Sequence, residues 1–497
     1  MNCIKNIFIM FCALKCENMF LSKIFYCIYM HTNIFAYIED QRRRIIDDFR
    51  KLISYKTVSS RHDNAVEFKE ASECIISYLC EAGLDNVTSI SDFGNPIIYA
   101  EKFTDPSLKT LLFYAHYDVQ PAEPLDLWNT DPYELKVEAG EMYGRGVSDD
   151  KGMLIAVIKA LDCILKNGMQ LKYNVKILFE PCEEACSREI VSMFSEDNVN
   201  IQKYRDLFKC DAIVACDSAM SFEERPTLTI GIRGCVSCEL VITGPNRDIH
   251  SGQFGGCVGN PIHELCRILS LMRDDDNHIT IEHFYDKVNT TSDDMSSCDK
   301  YNIDEEEMKR DLGVGSLLYE KGFTPRQANR IRPTIEVNGI YGGHTGEGGK
   351  TIIPSKATAK ISIRLVDEQD PVEIMNNVRS FIRRNIHPAF RYEIKQEDEG
   401  SGATNTDTSC EVYRELFKCT EEEYKMSVTE VKMGGSIPIM NTLNKNLGCN
   451  IVFFGTGSPN SNCHGPNEHL SIDSFFKAIR IIVRLLLESS SYTNRFI

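Results

Sequence analysis

The sequence predicts an α/β fold whose mixed, largely parallel sheet is interrupted by an inserted α+β domain. Apolar runs of strand length alternate with helical segments up to about residue 229, and this alternation is typical of a parallel sheet. The pattern changes over residues 230–399, where apolar and polar positions alternate within strands. The first pattern then returns with an apolar run at 451–454 and a helix at 471–488.

The predicted elements follow one another in a regular order. Apolar residues at helical spacing begin near residue 37, and a helix over 64–82 ends before Gly83, because glycine commonly terminates helices. Continuous apolar runs predict buried strands, and longer amphipathic runs predict helices. The first half has strands at 97–100, 111–115, 175–179 and 212–216 and a helix at 153–165, and the insert has helices at 261–272 and 371–384 and a strand at 359–365.

The chain length indicates several domains. At 497 residues it exceeds what one hydrophobic core usually supports, so we expect about two or three domains. An acidic, polar stretch at 274–311 lies inside the insert. The predicted division is an N-terminal extension, one domain in two parts and a second domain between them, at residues 1–36, 37–229 with 400–497, and 230–399, respectively.

Composition narrows the classes of partner. A formal net charge of −17 disfavours nucleic acids and anionic membranes, and no uninterrupted apolar run is long enough to cross a bilayer. The 20 cysteines are irregularly spaced, which favours reduced thiols in a cytoplasmic protein over a disulfide framework. Residues 1–14 resemble a weak signal peptide that lacks a small-residue cleavage site, so secretion is the alternative location.

His116 and Asp118 stand at the end of the apolar run 111–115. Side chains two residues apart in a strand face the same way, so an imidazole and a carboxylate meet there. A histidine at a strand end is by itself more often a packed or capping residue. The arrangement nevertheless recurs, because further segments next to predicted strands and helices have metal-type ligands: Asp149-Asp150, Glu183-Glu184, Asp217 and His464.

These segments predict a metal site. Ligands bind at the carboxyl ends of strands in sheets of this kind, so we expect the segments to converge. Taken singly, each acidic pair also has an ordinary explanation at a helix start or in solvent. Together, the histidines and carboxylates form a nitrogen and oxygen donor set that suits zinc, manganese or cobalt. Two ions roughly 3.5–4 Å apart that share one carboxylate fit this set better than one ion.

Longer motifs extend this constellation along the chain. They are His-Tyr-Asp-Val-Gln-Pro at 116–121, Tyr-Gly-Arg-Gly at 143–146, Asp-Asp-Lys-Gly at 149–152, Glu-Glu at 183–184, His-Ser-Gly at 250–252, Gly-Gly-Ser at 434–436, and His-Gly-Pro-Asn-Glu at 464–468. Over residues 37–490 the chain resembles the dimetal aminoacylase and carboxypeptidase family, and within it the cytosolic non-specific, carnosine-type dipeptidases. The resemblance implies a phosphorylase/hydrolase-like catalytic domain, with a lid or dimerisation domain at 230–399.

The resemblance implies a ligand set and a mechanism. Glu183 would be the general base: it would take a proton from the metal-bridging water and give one to the leaving amine. Asp118 would stand behind His116 and fix its tautomer. Two divalent ions, zinc or manganese, would be held by His116 and Asp217 on one side, by Glu184 and His464 on the other, and by Asp149 as the bridge.

The resemblance also implies substrate contacts and a dimer. In the family the histidine of His-Ser-Gly, here His250, comes from the neighbouring subunit and steadies the oxyanion, so a homodimer is expected. Arg364 would bind the substrate carboxylate through two hydrogen bonds, and Thr351 and Ser436 would add others. The expected activity is hydrolysis of dipeptides or small peptides that have a free C-terminal carboxylate.

The chain departs from the family pattern at three places. Glu-Gly-x-Glu-Glu-x-Gly-Ser becomes Glu-Pro-Cys-Glu-Glu-Ala-Cys-Ser at 180–187, Arg-Glu becomes Lys-Met at 432–433, and a lid loop that usually contains a His and a Trp reads Glu-Gly-Ser-Gly-Ala-Thr at 399–404. The ligands are intact, but the loop geometry and the substrate preference are in question. A related aminoacylase or carboxypeptidase is the alternative, and a non-catalytic binding protein with a degenerate site is the third hypothesis.

Overall fold

A computed structural model of the protein describes residues 34–487 except 62, 223–224, 300–303 and 397–398. The predicted extension, with its signal-like segment, therefore lies almost wholly outside the described residues. The described chain forms two compact units. Unit 1 consists of the described residues within Met1–Leu228, Thr408–Thr429 and Val452–Ile497. Unit 2 consists of those within Thr229–Asp407 and Glu430–Ile451.

The strands and helices are numbered in chain order. The strands are β1 (Asp85–Ile90), β2 (Ile97–Lys102), β3 (Thr110–His116), β4 (Lys136–Glu138), β5 (Glu141–Tyr143), β6 (Asn174–Glu180), β7 (Ala212–Ala215), β8 (Thr227–Ile232), β9 (Gly234–Thr243), β10 (Ile249–His250), β11 (Thr334–Gly342), β12 (Ile352–Ile353), β13 (Lys356–Leu365), β14 (Arg391–Lys395), β15 (Thr404–Asn405), β16 (Thr429–Met433), β17 (Asn450–Phe453) and β18 (His469–Ser471). After the helical residues 34–40, the helices are α1 (Arg42–Ile53), α2 (Ala65–Ala82), α3 (Lys151–Lys166), α4 (Arg188–Met193), α5 (Ile201–Phe208), α6 (Ser251–Phe254), α7 (Pro261–Ser270), α8 (Ser292–Asp299), α9 (Glu305–Leu312), α10 (Pro325–Arg330), α11 (Pro371–Asn385), α12 (Glu411–Tyr424), α13 (Pro438–Leu447) and α14 (Ile472–Leu486).

A six-stranded mixed sheet, in the order β1-β2-β6-β3-β7-β17, is the centre of unit 1. Its inner strands β3 and β6 are buried along almost their whole length, and most of their residues are apolar. β3 pairs in parallel with β6 on one side and with β7 on the other. β2 pairs antiparallel with β1 and with β6.

Helix α3 is the central helix of unit 1. It packs against β3, and α1, α2 and α14 pack around it. Its side chains are buried on all faces as far as Ile164, which is typical of a helix enclosed within a core. Even Lys151 in its first turn is buried, and its ammonium group donates hydrogen bonds to the carbonyls of Leu52 (3.3 Å) and Tyr55 (2.7 Å). The start of α3, which follows Asp149, is therefore fixed by both packing and hydrogen bonds.

Unit 2 is built on an antiparallel sheet in the order β11-β13-β9-β14. Alternate residues of β13 are buried, and helices α7 and α11 pack against the sheet to form a separate apolar core. A second sheet, β15-β8-β16, joins distant parts of the chain. The acidic stretch of the insert forms the short helices α8 and α9.

The predicted mixed α/β fold is confirmed, with one difference in the domain boundary. In the six-stranded sheet β3 pairs in parallel with β6 and β7, whereas β2 pairs antiparallel with β1 and β6. Residues 430–451, predicted to lie in the same domain as 37–229, cluster with unit 2 instead. The reason is that β16 joins the sheet of β8, a pairing across about 200 residues that local sequence patterns do not reveal. Among the described residues, no helix combines the length and apolar character needed to span a membrane.

Replacing Gly152 by alanine should destabilise unit 1 by about 1–3 kcal/mol, because overpacking forces neighbouring groups to move. The added Cβ would lie 2.1 Å from the carbonyl oxygen of Val147 and 3.0 Å from Leu470 Cδ2. Thermal unfolding followed by circular dichroism measures the effect. The matched control is Gly315→Ala, whose added Cβ meets nothing within 4 Å and should leave the Tm nearly unchanged. Equal Tm values for the two variants would contradict the close packing at Gly152.

Candidate metal centre

The parallel strands of unit 1 bring the predicted ligands to one edge of the sheet. His116 is the last residue of β3 and is paired with Glu180 at the end of β6. Tyr114 is paired with Ala215 of β7, so His116 is level with Asp217, which follows that strand. The carboxyl ends of parallel strands point in one direction, and His116 Nε2 consequently lies 3.9 Å from Asp217 Oδ2.

The carboxylate of Asp149 lies between two imidazoles. Its Oδ1 is 3.1 Å from His116 Nε2, and its Oδ2 is 3.0 Å from His464 Nε2. Glu184 Oε2 lies 3.3 Å from the same nitrogen of His464. Two groups of potential ligands result, and within each group the ligand atoms lie within 4.8 Å of one another: His116, Glu183 and Asp217, and Asp149, Glu184 and His464.

Asp118 is fully buried and has two kinds of contact. Its Oδ1 lies 3.3 Å from His116 Nδ1, on the side of the ring opposite Nε2. Its two carboxylate oxygens also accept hydrogen bonds from the backbone N–H groups of Glu183 and Glu184, both at 3.0 Å. Asp118 therefore orients the turn that presents the acidic pair, a contact that the sequence motif did not reveal.

The cluster concentrates negative charge in a buried place. Burial, together with the neighbouring carboxylates Asp149 and Glu184 and against the effect of His116, raises the pKa of Asp217 to about 7. Burial and the charge of Asp217 raise the pKa of Glu183 well above its usual range. Burial acts in the same direction on Asp149, but hydrogen bonds from His116 and His464 lower its pKa. Hydrogen bonds to Asp149 and Glu184 raise the pKa of His464 to about 10.

This donor set fits divalent cations. Imidazole nitrogens and carboxylate oxygens are the ligands that zinc and manganese accept, and Asp149 has one oxygen directed at each histidine. Close carboxylates that resist ionisation also indicate a place where positive charge is needed. The residues present therefore suit a binuclear site.

The loop after β6 has left-handed backbone at Cys186, where the family pattern has glycine. Glu183–Ala185 form a short 3₁₀ turn, and the next residues, Cys186 and Ser187, have left-handed backbone φ angles of 66° and 48°. The family pattern has glycine at the position of Cys186, and a side chain there costs about 1–2 kcal/mol. Cys182 is fully buried, and its Sγ lies 3.8 Å from the carbonyl of Ala185. Its thiol therefore packs within the turn.

The remaining predicted site residues lie in unit 2. Arg364 Nη1 donates a hydrogen bond of 2.7 Å to Ser436 Oγ, which donates one of 3.2 Å to the carbonyl of Gly234. His250 on β10 is exposed, and its Nδ1 accepts a hydrogen bond from Gly252 N at 2.9 Å. Thr351 precedes the paired strand β12, and its carbonyl accepts a hydrogen bond from Ser251 N at 3.0 Å. The structure thus pairs Arg364 with Ser436 and places Thr351 directly before β12, the strand that pairs with the strand of His250.

Two residues near the ligands received no role from the sequence. Gln120 Nε2 donates a hydrogen bond of 2.8 Å to Glu184 Oε2. Glu468 is fully buried against the loop that contains Asp149. Both belong to motifs that were recognised, but a motif does not distinguish a buried polar side chain from a solvated one. Their partners, up to 323 residues away along the chain, become evident only in the fold.

Comparisons with known proteins agree with this geometry. The family model described as Peptidase family M20/M25/M40 matches residues 112–488. The chain is 31% identical to the Cys-Gly metallodipeptidase dug1 of Schizosaccharomyces pombe over 401 residues, 80% of this chain and 83% of that protein. It is 27% identical to the Beta-Ala-His dipeptidase of Rattus norvegicus over 401 residues, 80% of each chain.

A solved structure of the di-peptidase Dug1p from Saccharomyces cerevisiae has the same fold. It superposes with a TM-score of 0.77 at 27% identity, and the match covers 92% of this chain and 97% of that one. The resemblance inferred from the motifs is thereby confirmed. The chain belongs to peptidase family M20/M25/M40 and is a hydrolase that acts on peptide bonds.

Proposed function

We propose that this protein is a dimetal dipeptidase that hydrolyses dipeptides with a free C-terminal carboxylate. The observation that carries the proposal is the carboxylate of Asp149 held between the imidazoles of His116 and His464. The similarity to a Cys-Gly metallodipeptidase and a Beta-Ala-His dipeptidase supports the substrate class. The complete donor set argues against a non-catalytic binding protein, even though the loop at 181–186 departs from the family pattern.

Two divalent ions, zinc or manganese, are the proposed cofactors. His116 and Asp217 would hold one ion, because they lie at the ends of the neighbouring parallel strands β3 and β7 with ligand atoms 3.9 Å apart. Glu184 and His464 would hold the other, with ligand atoms 3.3 Å apart. Asp149 would bridge them, since each of its oxygens is directed at a different histidine.

Glu183 is the proposed general base. When bound, the two ions would act as Lewis acids that lower the pKa of a water and polarise the scissile carbonyl. Glu183 lies with His116 and Asp217 at the sheet edge, where burial and the charge of Asp217 raise its pKa, and a raised pKa makes a carboxylate a better proton acceptor. It would take a proton from the attacking water and transfer it to the leaving amine.

Asp118 supports two proposed roles of its neighbours, which are metal binding by His116 and Glu184 and proton transfer by Glu183. Its backbone carbonyl, 3.2 Å from His116 Nδ1, and its carboxylate, 3.3 Å from the same nitrogen, favour the tautomer that leaves Nε2 free for a metal. The same carboxylate holds the backbone of Glu183 and Glu184. A single buried acid would therefore align a ligand on β3 with the base and a ligand after β6.

Substrate binding is proposed for residues of unit 2. The guanidinium of Arg364 would bind the free carboxylate of the peptide, with Ser436 holding the guanidinium in place. Thr351 would add a hydrogen bond to the peptide substrate. This recognition would explain a requirement for a free C-terminus, and it would leave aminoacylase and carboxypeptidase activities as the alternatives to be tested.

A homodimer is proposed, with His250 completing the site of the partner subunit. β11 is an edge strand of its sheet, and its Val337, Ile340 and Tyr341 are 47%, 52% and 49% exposed. An exposed apolar edge strand favours pairing with another chain, and a second copy of unit 2 presents the same surface.

A cytoplasmic location is also proposed. It rests on the number and the irregular spacing of the cysteines, which favour reduced thiols.

Glu183→Gln should lower kcat by about 10²–10⁴-fold, because it removes the proton acceptor and leaves the side-chain shape unchanged. Metal analysis of the reconstituted variant should still find two ions per chain. The control is Glu196→Gln, at a side chain that is 87% exposed, which should keep the parental rate. Parental turnover of Glu183→Gln would refute the base assignment, and loss of one ion would make Glu183 a ligand instead.

Arg364→Met should raise KM for dipeptides, so that kcat/KM falls by about 10–100-fold, because a charge-assisted contact of ~1.5–3 kcal/mol is lost. The loss should vanish for dipeptides with an amidated C-terminus. Steady-state kinetics on dipeptides, tripeptides and N-acyl amino acids measures both effects, with the exposed Arg391→Met as control. A parental enzyme that prefers N-acyl amino acids would reject the dipeptidase assignment.

Mixing His250→Ala and Glu183→Gln subunits should restore up to about half of the parental activity in verified heterodimers, because one of the two sites would then be complete. Each homodimer alone should be nearly inactive. Size-exclusion chromatography with light scattering checks the dimer, and assays of tandem-tagged heterodimers check the recovery. Heterodimers without recovered activity would count against a shared site.

A further inference from the structure

Glu468 is a fully buried acid four residues after His464, at the end of the same loop. Both of its carboxylate oxygens are used on the loop that precedes α3. Oε2 accepts hydrogen bonds from Arg145 Nη1 (2.7 Å) and Gly146 N (2.9 Å), and Oε1 accepts them from Ser148 N (2.9 Å) and Asp149 N (3.1 Å). The backbone of the proposed bridging residue is therefore held by an acid from the loop of a proposed terminal ligand.

Arg145 extends this contact to a third segment. It is only 2% exposed, and its Nη2 donates hydrogen bonds of 3.2 Å to the carbonyls of Pro121 and Gly465. Its guanidinium also lies over the ring of Trp128, 5.5 Å from the centroid. Pro121 ends the motif that begins at His116. The buried ion pair Arg145–Glu468 thus joins three segments: the one that follows His116, the loop with Asp149 and the loop with His464.

The chemistry of these contacts requires a carboxylate. Each oxygen faces two donors, and a carboxylate is an acceptor on both oxygens. A glutamine of the same shape would turn an NH₂ group towards one of the two donor pairs, so two N–H groups would face a donor. A buried donor without an acceptor is unfavourable, and the loop would have to move to relieve it.

We propose that Glu468 is a positioning residue of the metal centre, which holds the backbone of Asp149 in register with His464. The carboxylate of Asp149, the proposed bridge, would thereby be held facing both imidazoles before any ion is bound. Both oxygens of Glu468 are engaged by Arg145 and the backbone of residues 146–149, so its effect on the reaction would be exerted through Asp149. The inference rests on the proposed metal centre and adds a residue to which the family resemblance gave no role.

The test is metal binding by the purified full-length protein after its metals have been removed with a chelator. Co²⁺ is titrated while its visible absorption is recorded, and Zn²⁺ affinity is measured by competition with a chromophoric chelator. Glu468→Gln should weaken binding of at least one ion by about 10–100-fold and change the Co²⁺ spectrum, as loss of outer-shell contacts does elsewhere. Circular dichroism and the Tm of the metal-free protein report the fold independently.

A matched control separates positioning from simple loss of stability. Glu320 in unit 2 also pairs with an arginine, in its case through two hydrogen bonds, from Arg332 Nε at 2.8 Å and Nη2 at 2.7 Å, and both side chains are 10% exposed. Glu320→Gln should lower the metal-free Tm and leave the Co²⁺ affinities and spectrum parental. Glu468→Asp keeps the charge but is shorter, and it should recover part of the lost affinity.

The outcomes are distinct. Parental affinities and a parental Co²⁺ spectrum in Glu468→Gln would overturn the positioning role while leaving the metal centre in place. A parental protein that binds fewer than one ion per chain would reject the metal centre, and this inference with it. If Glu468→Gln does not fold, Glu468→Asp decides: weakened binding at a parental Tm supports the role, and unchanged binding rejects it.

Discussion

The parallel pairing of β3 with β6 and β7 is the constraint on which the rest of the site depends. Parallel strands end at the same edge of a sheet, so residues that lie far apart along the chain are brought level with one another. His116 is the last residue of β3, Asp217 follows β7, and the turn with Glu183 follows β6. A shift of one residue in this register would turn His116 away from the others, because neighbouring side chains of a strand point to opposite faces.

The sheet edge alone would not form the centre, because the proposed bridging ligand comes from a loop. Asp149 lies just before α3. The buried side chains of this helix, including Lys151, fix it within unit 1. Asp118 and Glu468 then hold the flanking backbones through hydrogen bonds to N–H groups. Asp149 directs its carboxylate oxygens towards the proposed metal site, whereas Asp118 and Glu468 accept hydrogen bonds that hold the backbone of the flanking loops.

Unit 1 contains the proposed metal ligands and the proposed base, and unit 2 contains the pair Arg364–Ser436 and the exposed His250. This separation suits a family whose members include a Cys-Gly metallodipeptidase and a Beta-Ala-His dipeptidase, since recognition can change without altering the proposed ligands. The departures from the family pattern follow the same division. The loop at 180–187 has Cys186 in a left-handed conformation at the position where the family pattern has glycine. Lys432, in unit 2, forms an ion pair of 2.6 Å with Asp294.

By itself, the sequence determined the mixed α/β class, most of the strands and helices, the family and the histidines and carboxylates expected to cluster. The class and the elements depend on local periodicity and the family on its motifs, and both are local properties of the chain. Only the tertiary structure decided that residues 430–451 belong with unit 2, that Asp118 holds the turn of Glu183, and that Glu468 binds the loop of Asp149. Each of these depends on pairing or burial between distant segments, and such contacts leave no periodic trace in the sequence.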